Sequence, residues 1–146
     1  MRAIVFVFLK KRELIQLTTI YMPHLIIEHS ANISKISIIN LQKNIQNIMS
    51  VVEGNFDPDQ CKARALSFDD YLVGLTDQAT SSFIHITLKV LTGRSFQIRK
   101  NLAEKILEFS REFLFDLKLP GKRHEISVDI VEMERETYQK FVVELN

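Results

Sequence analysis

Phe83-Ile84-His85-Ile86-Thr87-Leu88-Lys89-Val90 is the stretch whose reading decides the fold. Ile84, Ile86, Leu88 and Val90 fall on one side of an extended segment, and His85, Thr87 and Lys89 fall on the other. That alternation predicts a β-strand with one apolar face. Thr92-Gly93 breaks the run. Beyond it Ile98, Leu102, Ile106, Phe109, Phe113 and Leu117 recur at spacings of three and four, the stripe of an amphipathic helix. Pro120-Gly121 is expected to end that helix. Ile126, Val128 and Ile130 then alternate with Ser127 and Asp129 in a last strand.

The same order occurs earlier in the chain. Leu25–His29 is a short apolar run suited to a strand, and Ile38, Leu41, Ile45, Ile48 and Val52 mark one face of a helix. Ser34 or Ser37 is placed to cap its start, and Gly54 its end. Phe56-Asp57-Pro58-Asp59 is a turn. Residues 61–66 alternate again, with Cys61, Ala63 and Ala65 on one side and Lys62 and Arg64 on the other, giving a strand with a basic face. Residues 69–82 read as a connection with a short irregular element near Tyr71–Leu75. The expected fold is therefore α+β: two β-α-β units with right-handed crossovers, forming a four-stranded sheet with both helices on one face. The other face stays uncovered and is apolar enough to favour self-association. The closing segment Thr137–Leu145 is expected to cover a neighbour.

With 146 residues, 46% of them hydrophobic and 25% charged, the chain fits one globular domain. A net charge of +1 offers no global field for nucleic acid or an anionic membrane, so any anion site has to be local. Cys61 is the single cysteine, which fits a reducing, cytoplasmic setting, and it reads as a small buried residue rather than a nucleophile. The apolar run Ala3–Leu9 is too short to span a bilayer, and no small-residue cleavage site follows it. Residues 1–21 are either a strand with an appended turn or translated upstream sequence. We favour the second, which leaves residues 22–146 as the domain.

Four residues stand out for chemistry. Pro23 opens the first strand, where a proline is tolerated for structural reasons alone. At a chain terminus, however, its nitrogen is a basic secondary amine. Lys62 and Arg64 share a strand face, and Arg94 lies just after the Gly93 turn, near a helix N-terminus that favours anions. Taken singly each is an ordinary solvated charge. Together they suit a substrate with two carboxylates. His85 reads as a hydrogen-bonding residue of its strand. His24 and His29 face opposite ways on theirs, so no metal pair is expected, and neither a Gly-rich phosphate loop nor a nucleophile elbow is present.

Three pieces carry a family resemblance: Met22-Pro23-His24-Leu25-Ile26-Ile27-Glu28, Phe83-Ile84-His85-Ile86-Thr87-Leu88-Lys89 and Gly93-Arg94-Ser95. In this order and spacing, over nearly all of residues 22–135, the chain resembles the 5-carboxymethyl-2-hydroxymuconate Δ-isomerase family of the tautomerase superfamily. The resemblance implies a cofactor-free isomerase and a homotrimer of β-α-β repeats. It implies that an amino-terminal Pro23 takes a proton from a 2-hydroxymuconate dienol and returns one at another carbon, in homoprotocatechuate catabolism. It also implies that Arg94 binds a carboxylate or polarises the carbonyl, and that Lys62 and Arg64 hold the dicarboxylate substrate. Lys62 stands where the family has an arginine, keeping the charge but not the planar fork.

Residues 1–21 would acylate that nitrogen, so the resemblance favours a chain beginning at Met22 and trimmed to Pro23. Two other readings remain open: a non-catalytic trimeric binding or scaffold protein with Pro23 blocked, and another proline-dependent activity such as a dehalogenase or decarboxylase.

Overall fold

Helix stripes and strand alternation become six main elements in the structure, a computed structural model that describes residues 22–143. The expectations for residues 1–21 lie outside the described residues. The elements are β1 (His24–Ser30), α1 (Lys35–Val51), β2 (Lys62–Phe68), β3 (Ser81–Leu91), α2 (Phe96–Asp116) and β4 (Arg123–Met133). They form one sheet of order β2-β1-β3-β4. β1 runs parallel to β2 and antiparallel to β3, and β3 runs parallel to β4. The α+β arrangement of two β-α-β units is borne out, with the units joined through the β1–β3 pair.

One face of the sheet holds the core. Leu25 and Ile27 of β1 and Ile84, Ile86, Leu88 and Val90 of β3 pack against Ile38, Leu41, Ile45 and Met49 of α1 and Leu102 and Ile106 of α2. Leu25, Ile27, Leu41, Ile45, Ile86, Leu88, Leu102 and Ile106 are all fully buried, which is why the periodic positions were readable. Ser34 caps α1 by accepting from Ser37 N–H, and Ser95 caps α2 by accepting from Ile98 N–H. Among the described residues the opposite face carries no helix. Every residue of the edge strand β2 is exposed, Leu66 and Phe68 among them.

The structure moves several boundaries. β3 and β4 are longer than their apolar cores, because backbone pairing continues from Ser81↔Arg123 to Leu91↔Met133. Cys61 lies outside β2, as the cap of a single 3-10 turn, Pro58–Gln60, and is half-buried rather than buried. α2 ends at Asp116, before Pro120-Gly121, because Lys118 takes a left-handed conformation with φ 47° and its N–H closes a tighter bond to Phe115 O at 3.2 Å. Gly121 belongs instead to the turn into β4. Its φ is +130°, and a Cβ there would stand 2.5 Å from Thr80 O, which accepts from Lys122 N–H at 2.7 Å.

Over its described part the closing segment folds against its own chain. Arg135 donates from Nε and Nη2 to Thr92 O at 3.2 and 2.9 Å, which turns the chain back on itself. Tyr138 then packs with Met22, Leu91 and Met133 of its own chain. Alternation puts Leu91 and Met133 on the helix-free face.

Ile45→Ala is expected to cost about 2–5 kcal/mol through the cavity it leaves. Gly121→Ala is expected to cost more than about 1 kcal/mol through its forbidden φ and the Thr80 clash. Urea unfolding at unchanged slope measures both, and a near-neutral Gly121→Ala would contradict the turn geometry.

Candidate active site

The pairing of β1 with both neighbours fixes what surrounds the proline. Pro23 is buried at the entry to β1, and its carbonyl accepts from Lys62 N–H at 3.0 Å. His24 follows, and its row in the sheet places Lys62 of β2 on one side and Lys89 of β3 on the other. Arg64, two residues along β2, reaches His24 Nδ1 with Nη1 at 3.4 Å. Lys62, Arg64 and Lys89 thus share the helix-free face with His24. Among the described residues none of these three cations has a carboxylate in ion-pair contact.

Arg64 also settles which nitrogen of His24 carries a proton. A guanidinium only donates, so Nδ1 is the acceptor and Nε2–H donates to Tyr138 Oη at 3.0 Å. The imidazole is therefore neutral. Burial pushes its pKa below the ordinary 6.5, and the charges of Arg64, Lys62 and Lys89 push the same way. The Tyr138 proton is left for another acceptor. Burial raises the Tyr138 pKa, keeping the phenol protonated. His85 bonds Ser127 Oγ through Nδ1 at 2.7 Å, as a strand residue should. His29 is buried on the other side of β1, with Nδ1 on Ser30 O at 2.9 Å. Burial raises the Cys61 thiol above its ordinary value, so it stays protonated. Among the described residues no cluster of three or more His, Cys, Asp or Glu side chains is placed to hold a metal ion.

Arg94 is held by the backbone around it. Its Nε donates to Gly54 O at 2.8 Å, Nη1 to Leu91 O at 3.1 Å and Nη2 to Asn55 O at 3.1 Å. Its Cζ lies 4.2 Å above the centre of the Phe56 ring, and that ring belongs to the core between sheet and helices. The guanidinium clamps the loop after α1 to the end of β3. Gly54 makes the clamp possible: its φ is +126°, and a Cβ there would stand 2.6 Å from Phe56. The structure thus brings Lys62 and Arg64 together beside His24, with the Lys62 backbone on Pro23, and holds Arg94 on backbone carbonyls. An open cleft of about 800 Å³ runs past Gly54, Phe56 and Arg94. Neither Pro23 nor Lys62 lines it, and Glu53 and Asp57 in its wall are the wrong sign for a carboxylate ligand.

Sequence reasoning missed Lys89, Tyr138 and Lys140. The register of β1 with β3 supplies the first. The other two arrive only because the chain turns at Arg135, and Lys140 Nζ then reaches Gln60 Oε1 at 3.1 Å.

A two-unit sheet with both helices on one face and a proline opening its first strand defines the tautomerase-like class. A family model for 5-carboxymethyl-2-hydroxymuconate isomerase matches residues 23–142, and the chain belongs to that family. Among solved structures, a 5-carboxymethyl-2-hydroxymuconate isomerase from Deinococcus radiodurans R1 is similar with TM-score 0.68 and 21% identity, over 82% of this chain and 88% of that one. A 5-carboxymethyl-2-hydroxymuconate delta-isomerase is similar with TM-score 0.62 and 20% identity, over 75% and 82%. A fused 4-OT protein described as a symmetric trimer follows at TM-score 0.58 and 15% identity, over 76% and 87%. At these identities the likeness is one of fold. No match to a curated protein was found. Family and fold together support an isomerase.

Two outcomes are expected. Arg94→Lys, which loses the planar fork, should cost about 1–3 kcal/mol and speed amide exchange in residues 54–57; unchanged exchange there would remove the clamp. His24, with its folded pKa below the unfolded one, contributes stability that is present above pH 6.5 and lost as pH falls through the folded value. The urea midpoint should therefore fall more steeply on acidification in the wild type than in His24→Gln, and equal slopes would contradict it.

Proposed function

We propose that this protein is a cofactor-free isomerase of the 5-carboxymethyl-2-hydroxymuconate type, whose working chain begins at Pro23. Residues 1–22 are then absent from the active enzyme. What carries this reading is the family match, which begins at Pro23 itself, the residue after a methionine.

In the 146-residue chain the nitrogen of Pro23 is a tertiary amide with no lone pair to offer. Once it is terminal it becomes an α-amine, whose ordinary pKa is about 7.7–8.0. Burial and the nearby charges of Lys62, Arg64 and Lys89 lower such a pKa towards neutrality, where a general base works best. The amine takes the proton of the dienol hydroxyl. The electrons of that O–H bond form the C=O bond, the double-bond electrons shift along the chain, and the ammonium returns a proton to a distal carbon. The product is the conjugated 2-oxo acid, and the amine is regenerated. Lys62 and Arg64 hold the carboxylates, while Arg94 shapes the adjoining wall. The setting is cytoplasmic catabolism of homoprotocatechuate-type aromatics. The assembly is a homotrimer, a reading supported by the bare sheet face, by exposed Leu66 and Phe68, and by a relative described as a trimer.

One observation favours the rival, a non-catalytic trimer with Pro23 blocked: Met22 is 2% exposed and well packed. The experiment separates the two. Protein expressed from Met22, with Pro23 confirmed as its first residue by intact mass, should ketonise phenylenolpyruvate and isomerise the muconate dienol. The 146-residue form should not. Pro23→Ala in the short form should lower kcat by about 10²-fold or more. Equal activity in the long and short forms would end the amine mechanism.

A further inference from the structure

The thioether of Met22 occupies a place built for something else. Lys140 Nζ lies 3.0 Å from Met22 Sδ, and Lys62 Nζ lies 4.0 Å from the same sulfur. Both ammonium groups also reach Gln60, Lys140 to its side-chain oxygen at 3.1 Å and Lys62 to its carbonyl at 3.5 Å. A thioether is a weak acceptor and cannot neutralise a charge. Two ammonium groups turned onto one sulfur are poorly matched, and a partly buried charge without a counter-charge is costly. Among the described residues no carboxylate stands in ion-pair contact with either. Burial, and then the neighbouring charge of Lys62, hold the Lys140 pKa below its ordinary value.

The rest of the surroundings agree. Met22 packs with Leu91, Met133 and Tyr138. The Tyr138 oxygen already accepts from His24 Nε2 at 3.0 Å, and among the described residues its proton has no acceptor. The position therefore has an apolar floor, two ammonium groups and one hydroxyl donor. That chemistry fits a carboxylate on a short unsaturated carbon chain, and it adjoins the nitrogen of Pro23.

We propose that in the form beginning at Pro23 a substrate carboxylate takes the place of the Met22 side chain, bound by Lys140 together with Lys62 and Tyr138. The assignment rests on the reading that the working chain begins at Pro23. Lys140 becomes a substrate-binding residue supplied by the closing segment. It fills the position left open by Arg94, whose guanidinium holds the loop after α1. Arg64, which reaches His24 through Nη1 alone, then serves the second carboxylate.

Calorimetry with hexanedioate, a saturated dicarboxylate that cannot be isomerised, tests the site apart from catalysis. The short form should bind it, and the 146-residue form should not, since Met22 fills the position. Lys140→Met in the short form should weaken binding by about tenfold or more. Lys140→Arg should restore most of it, and thermal melts of both variants check folding. In turnover, Lys140→Met should raise KM for the dienol dicarboxylate more than it lowers kcat. The site is overturned if Lys140→Met binds hexanedioate like the wild type, if the long form binds as well as the short form, or if no form binds. A short form without turnover that still binds hexanedioate through Lys140 would keep the site and refute the isomerase. A short form with turnover whose KM ignores Lys140→Met would do the reverse.

Discussion

Everything at the proline end of this molecule depends on β1 being paired on both edges, parallel to β2 and antiparallel to β3. The antiparallel pair joins the two β-α-β units and brings the end of β3 to the start of β1. The parallel pair brings the start of β2 to the same place. Residues 23, 62 and 89 are far apart in sequence, yet the ladder makes them neighbours with no loop required to fold over them. A one-residue slip in β1 would turn His24 to the helices and Leu25 outward, so the buried Leu25 and Ile27 lock the register that gathers the cations.

The gathering has an electrostatic signature. Cations usually sit beside carboxylates, and the ion pairs among the described residues do lie elsewhere: Arg99 with Glu132, Lys100 with Glu104, Lys105 with Glu108 and Arg123 with Glu125. On the helix-free face around His24 the pattern is reversed. Lys62, Arg64 and Lys89 crowd an imidazole that responds by staying neutral. A fold selected only for stability has little reason to place like charges on the two strands that flank one imidazole. Arg94 shows the opposite case, a guanidinium satisfied by three carbonyls and a ring, where the charge serves geometry.

How far the sequence could be read followed from which interactions were local. Ile38, Leu41 and Ile45 on α1 and Ile84, Ile86 and Leu88 on β3 announced their elements because each is buried by one shared core. Lys62 and Arg64 were placed together correctly because two residues on a strand share a face by geometry alone. The boundaries of β2 and β4 were less clear, since backbone pairing extends past the apolar positions. The partners of Arg94 were not legible, because Gly54, Asn55 and Leu91 are brought to it by a loop whose course depends on a left-handed glycine. Tyr138 and Lys140 gave no signal at all. Their position depends on Arg135 bonding the carbonyl of Thr92, a contact between residues that no periodicity connects.

The bond from Lys62 N–H to Pro23 C=O has a consequence for the kind of base proposed at Pro23. A catalytic carboxylate or imidazole hangs on rotatable bonds, and freezing each one costs conformational entropy that packing around the site must offset. The nitrogen of Pro23 has no such torsion. It belongs to the main chain, closed in a five-membered ring, and the first bond of the sheet ladder locates it. In the proposed enzyme, the rigidity that side-chain bases gain from surrounding residues is a by-product of strand pairing, which leaves the residues around the nitrogen free to vary in service of the ligand.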